Sequence, residues 1–258
     1  TDFYGGWANK LSLYYYDKWE ASPKLTLNYG GRLEWHKLKG TYAPTIDENG
    51  EAIPNNAREA GGTFSSDKSR YEEIDRNDLN FAANMNLIYR LANKYGVLLD
   101  AGFTRQSSSL EAYGGIYRTS PKASSAPNAG IGVYYNGSFL SLVSKATYIK
   151  KDNYTSRPDF MNPTKPTQTL NPLVRYNIET IGWTTDILFT PFKGFGNSLK
   201  NFNLHFLATI QSPKYKKYSG DLTFDDGTER NYDFSDKTAT TVSKFLLEID
   251  PSYTFSIN

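Results

Sequence analysis

Residues Lys24–Tyr42, "KLTLNYGGRLEWHKLKGTY", alternate with a period of two. Leu25, Leu27, Tyr29, Leu33 and Trp35 are apolar or aromatic, and Thr26, Asn28, Arg32, Glu34 and His36 are polar. A period of two is the signature of a strand whose two faces meet different surroundings. The same pattern returns in "DLNFAANMNLIYRL", where Leu79, Phe81, Ala83, Met85, Leu87 and Tyr89 oppose Asn80, Ala82, Asn84, Asn86, Ile88 and Arg90. In "TIGWTTDILFTP", Ile181, Trp183, Ile187 and Phe189 stand against Gly182, Thr184, Asp186 and Leu188. In "NFNLHFLATIQ", Phe202, Leu204, Phe206, Ala208 and Ile210 oppose Asn203, His205, Leu207, Thr209 and Gln211. Weaker versions run over Trp7–Glu20, Tyr95–Ser109, Asn128–Tyr135, Ser138–Lys150 and Thr241–Ser256. The pattern predicts about nine strands and no amphipathic helix.

Connections alternate between short and long. Ala21-Ser22-Pro23, Leu91–Lys94, Asn136-Gly137 and Pro191–Lys200 are short, and Asn136-Gly137 has the composition of a two-residue hairpin turn. Thr41–Asp75, Leu110–Pro127, Asp152–Leu173 and Ser219–Ala239 are long, polar and rich in Gly, Pro, Asn and Asp. This predicts an all-β, antiparallel up-and-down meander with short turns at one end and long loops at the other, the plan of outer-membrane barrels. Strand length points the same way. Leu25 to Trp35 spans the roughly 9–11 residues that a tilted strand needs to cross hydrocarbon, against roughly 5–6 for ordinary strands. Trp35, Tyr89 and Phe189 are expected at strand ends, where an aromatic girdle would meet the interface. On this reading the apolar faces meet lipid. Asn28, Arg32, Glu34, His36, Asn80, Asn84, Asn86, Asp186, Asn203, His205 and Gln211 face a wet lumen. A soluble sandwich with one solvated face would show the same alternation.

Composition removes other classes. Among 258 residues, 20 are Tyr and 15 are Phe, an aromatic content that favours strands. Mean hydropathy is −0.59 and no run of eighteen apolar residues occurs, so helical membrane spans are excluded. A net charge of +2 gives no global attraction to nucleic acid. With no Cys there is neither a disulfide framework nor a thiolate metal site. His36 and His205 are the only histidines, which rules out an H-x-x-x-H metal pair and leaves both as candidate hydrogen-bonded lumen residues. Ser141 precedes Lys145 by four, one too many for Ser-x-x-Lys. "GIGVYYNG" places Tyr135 where a dinucleotide fingerprint needs glycine, and no helix follows. "KYKKYSG" reads as a basic strand end entering a loop. No catalytic residue, metal or cofactor is expected.

"LSLYYYDKWEASPKLTLNYGGRLEW" resembles a barrel hairpin of TonB-dependent outer-membrane receptors, with Asp17, Trp19, Leu25, Leu27, Asn28, Tyr29, Gly30 and Arg32 at the matching positions. "APNAGIGVYYNGSFLSLVSKATYIKKDNY", "IGWTTDILFTP", "NLHFLATIQSPKYKKYSG" and "LLEIDPSYTFSIN" are similar to the form found in Bacteroidetes. The resemblance implies a bacterial outer-membrane location and import of a large scarce nutrient such as a siderophore, cobalamin or oligosaccharide. It also implies a plug domain, the TonB complex, outer-membrane lipid and, in some relatives, a surface lipoprotein as partners. Members of that family have about 22 strands. Residues 1–258 are thus expected to be a middle-to-late part of one barrel, without the plug and the remaining strands. Phe64, Tyr71, Tyr113, Tyr117, Tyr154 and Phe160 are the loop aromatics that could stack on a ligand. A passive porin-like or adhesive barrel, and a soluble β-rich glycan-binding module, are the alternative readings.

Overall fold

The computed structural model describes residues 3–42, 45–46, 49, 63–64, 66–108, 122–156, 158–170, 172, 174–193, 201–224 and 226–254. In chain order the strands are β1 (Phe3–Ser22), β2 (Leu25–Tyr42), β3 (Thr45–Ile46), β4 (Thr63–Phe64), β5 (Glu72–Arg90) and β6 (Tyr95–Gln106). There follow β7 (Ser124–Ser125), β8 (Asn128–Asn136), β9 (Leu140–Ser156), β10 (Phe160–Met161), β11 (Thr169–Leu170) and β12 (Val174–Phe189). The last are β13 (Phe202–Lys216), β14 (Ser219–Thr223), β15 (Glu229–Asp233) and β16 (Phe245–Tyr253). A 3₁₀ turn at Lys68–Arg70 is capped by Asp67, and no helix among the described residues is long and apolar enough to cross a membrane.

Ten strands form one antiparallel sheet in the order β1-β2-β5-β6-β7-β9-β12-β13-β16, with β8 also between β6 and β9. β7 and β8 occupy one lane, separated by Ala126-Pro127. There Ala126 exchanges hydrogen bonds with Thr104, and the Pro127 carbonyl accepts from Lys150. Pro127 lacks the N–H that a continuous ladder would use. The sheet therefore has the nine lanes that the alternation predicts. Among the described residues, β1 pairs only with β2 and β16 only with β13, so both outer edges are open.

The register carries one apolar face across the whole sheet. Leu33 stands opposite Phe81, Leu99 opposite Leu87 and Ile131, Tyr148 opposite Ile181, and Ile210 opposite Phe245. On this face the apolar band runs Leu25–Trp35 on β2, Leu79–Tyr89 on β5, Leu140–Tyr148 on β9, Ile181–Phe189 on β12 and Phe202–Ile210 on β13. Charged residues follow at the long-loop end: Lys37 and Lys39 after Trp35, Lys150 after Tyr148, and Lys214 after Ile210. At about 3.3 Å per residue and a tilt near 40°, such a band stands about 20–25 Å tall, the height of the apolar belt on a membrane barrel. Exposed Tyr89, Tyr95, Tyr135, Phe189 and Tyr253 rim its short-turn end. Trp35 departs from the expectation. It lies seven residues inside β2 and marks the upper edge of the band, because the strand continues as polar rim to Tyr42.

Two further expectations are corrected. Asn136-Gly137 is no two-residue turn: Asn136 pairs with Ser141, and the Gly137 N–H donates to the Leu140 carbonyl at 2.8 Å. Gly137 lacks the positive φ that the tight turn demands, and the Phe139 carbonyl is held by the Thr190 N–H of the neighbouring turn. The two-residue turn is instead Pro23-Lys24, where Ser22 Oγ accepts from the N–H groups of Lys24 and Leu25. Second, the long segments after β9 and β13 are folded rather than plain loops. β10–β11 and β14–β15 are hairpins that share a core of Phe160, Leu170, Val174, Tyr176, Ile178, Tyr215, Tyr218, Phe224 and Ala239. Ile178 and Tyr215 are opposite one another on the polar face of the sheet, so this aromatic cap folds over that face at its long-loop end.

Candidate functional site

The face opposite the apolar band holds all eleven residues expected to line a lumen. Asn28 pairs with Asn86, Gly30 with Asn84, and Glu34 with Asn80. Across the sheet, Asn86 is followed in register by Asp100, Gly130, Thr147, Gly182 and Gln211. Asp186 and His205 share that face, as does Asn203 two residues further along β13. The common face follows from antiparallel pairing alone, since directly opposed residues always point the same way.

Three polar groups are built on it. At the long-loop end the Glu34 carboxylate, 5% exposed, accepts from Asn80 Nδ2 at 2.9 Å and Ser12 Oγ at 3.1 Å, and it is paired with Arg32. The Arg32 guanidinium also lies 5.3 Å above the Tyr14 ring. Asn80 Oδ1 accepts from the Ser107 N–H at 2.6 Å, and Ser107 Oγ hydrogen-bonds His36 Nδ1 at 2.9 Å. His36 Nε2 and Asp78 Oδ2, on residues directly opposed in the ladder, are buried with no hydrogen-bond partner among the described residues.

Midway, Asn28 Nδ2 donates to Asn86 Oδ1 at 3.4 Å, and Lys145 Nζ donates to Asp100 Oδ1 at 3.0 Å. Two glycines make that ion pair possible. A Cβ on Gly130 would stand 2.5 Å from Asp100 Oδ2, and one on Gly132 would stand 2.5 Å from Lys145 Cβ. The acid and the base therefore lie flat on bare backbone. Nearer the short turns, Asp186 Oδ1 and His205 Nε2 are 3.0 Å apart, and Thr184 and Thr209 share a hydrogen bond at 3.0 Å.

Below these groups the same face turns apolar. A cavity of about 940 Å³ is walled by Ile88, Leu98, Tyr134, Val143 and Leu188, with Asn86, Arg90, Asn136 and Asp186 among them. Above this cavity the charges described sit in pairs and clusters among amides, hydroxyls and glycines. Over its polar part such a surface can hold water and contact a polar solute. No group of three or more His, Cys, Asp or Glu among the described residues could hold a metal ion.

The loop aromatics separate into three kinds. Phe160 is 3% exposed and packs on Tyr232 at 4.7 Å, so it is a cap core residue and presents no ring to a ligand. Tyr154 lies within β9, exposed, with its ring 5.4 Å from Tyr176. Tyr71 is half-buried and follows the 3₁₀ turn. The Phe64 side chain, Tyr113 and Tyr117 lie outside the described residues. Alternation alone does not single out Ser12, Ser107, Asp100 or Lys145. Ser12, Asp100 and Lys145 occupy the polar parity of weaker strands, but their partners are set by register.

The cap is tied together by a buried amide. Asn162 is 1% exposed; its Nδ2 donates to Gln168 Oε1 at 2.8 Å and to the Asp226 carboxylate at 3.1 Å, while its Oδ1 accepts from Thr164. Asp226 is held well below the ordinary carboxylate range, chiefly by hydrogen bonds from Thr228. This contact joins the segment between β9 and β12 to the segment between β13 and β16.

No family model matches the chain, and no curated protein matches it. Solved structures do. The copper transporter OprC superposes with a TM-score of 0.57 at 11% identity, covering 80% of this chain and 30% of its own. The ferric-catecholate import receptor Fiu from E. coli K12 superposes with a TM-score of 0.57 at 15% identity, covering 96% of this chain and 32% of its own. The chain spans about a third of the length of each. At such identities the likeness concerns the fold: this is an all-β, antiparallel up-and-down sheet of the kind found in outer-membrane barrel receptors.

Proposed function

We propose that the chain is a part of the barrel of an outer-membrane receptor that imports a large scarce nutrient, driven through TonB. The carrying observation is the two-faced sheet: an apolar band of bilayer height backed by a wall of paired charges and amides. Similarity to a copper transporter and a ferric-catecholate import receptor supports import over adhesion. So does the resemblance of Asp17–Arg32 and the later strands to the TonB-dependent family. On this reading further strands close the open edges of β1 and β16, since unpaired edges are not tolerated in hydrocarbon. A plug domain fills the lumen, and Asn28, Arg32, Glu34, His36, Asn80, Asn84, Asn86, Asp186, Asn203, His205 and Gln211 bound the permeation path. The protein carries its solute without chemical conversion.

Fractionation and intact mass of the natural polypeptide, followed by uptake assays in cells with and without TonB, test this. The reading expects a detergent-requiring polypeptide several times 29.1 kDa whose uptake stops without TonB. Arg32→Ala should lower uptake or change pore ion selectivity while leaving assembly intact. Uptake indifferent to TonB would point to a passive barrel, and a monodisperse soluble protein would remove the import reading.

A further inference from the structure

Between the Glu34 network and the apolar cavity, the polar face carries two exposed aromatic rings. Register sets Tyr14 opposite Arg32 and Tyr16 opposite Gly30, so both rings of β1 stand on that face. They are 66% and 68% exposed. A strand added at the open edge of β1 would lie beside these rings and leave the face itself uncovered. Two glycines let the neighbouring groups lie low on the wall. A Cβ on Gly30 would stand 3.2 Å from Tyr16 Cδ2 and 3.2 Å from Asn84 Oδ1, and one on Gly102 would stand 2.8 Å from Asn128 Nδ2. Glycine inside a strand marks a place of close approach. The result is a shallow cavity of about 540 Å³ across β1, β2, β5 and β6, bordered by Tyr14, Tyr16, Asn84, Asn86 and Asn128.

Charge at this cavity is balanced. Arg32 and Asp100 border it, and each is paired, with Glu34 and with Lys145. Further along β1, Lys18 is paired with Glu20 at 2.6 Å. The amides, by contrast, are available. Asn84 and Asn128 make no side-chain hydrogen bond among the described residues, and Asn86 uses only its Oδ1. An amide offers a donor and an acceptor together, the two things that a hydroxyl group can satisfy. A tyrosine adds a flat apolar ring with a polar tip. The Arg32 guanidinium holds one face of Tyr14 and leaves the other open.

We infer that this cavity is a binding subsite for an uncharged, hydroxyl-rich ring ligand, an oligosaccharide. Its sugar rings stack on Tyr14 and Tyr16, and its hydroxyls are met by Asn84, Asn86 and Asn128. An anionic solute such as a ferric tricatecholate would find no unpaired cation at this cavity. The inference rests on the import reading, because it names the class of solute that the reading leaves open.

The test uses the natural full-length polypeptide in detergent, with Tyr14→Ala/Tyr16→Ala as the ring-deleted variant and Tyr14→Phe/Tyr16→Phe as the ring-preserving one. Probes are a panel of neutral glucose, mannose, xylose and fructose oligosaccharides, and a ferric tricatecholate. Parent and Phe variant should bind a glycan of the panel, and ring deletion should weaken it about tenfold or more. Asn84→Ala, at an exposed position, should weaken the same glycan and serves where the double variant does not assemble. Uptake of both probes, with and without TonB, is measured in parallel. Glycan binding with uptake indifferent to TonB upholds the subsite and removes the import reading. TonB-dependent uptake of the tricatecholate with no glycan bound keeps the import reading and overturns the subsite. Glycan binding unchanged in the ring-deleted variant and in Asn84→Ala also overturns it.

Discussion

Phe160→Ala gives a direct reading of whether the long-loop cap is a folded unit. The ring is 3% exposed, 4.7 Å from Tyr232 and 6.4 Å from Phe234, with the Arg230 guanidinium 5.6 Å above it. Truncating a buried Phe costs about 3–5 kcal/mol, and the lower figure is used here. At 1.4 kcal/mol per tenfold, about 3 kcal/mol raises the opening constant of the cap by about two orders of magnitude. Hydrogen exchange reads this at the amides of Phe224, Phe234 and Ala239, which donate to Thr228, Tyr218 and Pro213. These amides should exchange about a hundredfold faster, while those of the β2–β5 ladder keep their rates. Phe160→Leu, nearer in volume, should cost well under half as much. Unchanged exchange in the cap, or equal acceleration throughout the barrel, would refute the reasoning.

Other consequences follow from the two faces and from the cap. Ile131→Arg puts a charge on the apolar face, where the cost at mid-bilayer is about 2–4 kcal/mol; folded yield in vesicles should fall, whereas Asn84→Arg on the opposite face should assemble normally. Burial among Tyr176, Tyr215 and Tyr232 pushes the Tyr218 phenol up to about 12, and burial raises Tyr232 too. The unfolded phenol ionises near 10, so cap stability is complete below that pH and declines as pH rises from about 10 towards 12. Exchange at Phe234 should accelerate over that window, and less so in Tyr218→Phe. Gly130→Ala drives a methyl onto the Asp100 carboxylate and should part Asp100 from Lys145, moving single-channel ion selectivity towards anions; unaltered selectivity would show the pair to be electrically silent.

The strands and their faces were legible because a barrel wall obeys one rule at every position. Leu25–Trp35 and Leu79–Tyr89 announce their two sides without knowledge of any partner. Strand ends were less legible: β9 runs on to Ser156 through polar residues that carry no hydrophobic signal, held there by pairing with β12. The Asn136-Gly137 turn was misleading because the Thr190 bond from the next turn outweighs a local preference. Phe160 sits in a segment whose Pro, Asn and Thr read as loop, and only the distant Tyr218, Phe224 and Tyr232 make it core. The network on the polar face shows the same division. Glu34 and Asn80 could be placed on the wall from alternation, but Ser107 beside His36 depends on register across 71 residues.

The central claim is that the odd positions of β2 meet lipid and the even positions meet water. Because this chain has no Cys, single cysteines can be placed at each position from 25 to 36 and labelled one at a time. In the natural protein within a bilayer, labels at 25, 27, 29, 33 and 35 should be quenched from the lipid phase, and those at 26, 28, 32, 34 and 36 from water. Loss of the alternation, or water-phase quenching at both sets, would contradict the membrane-barrel account.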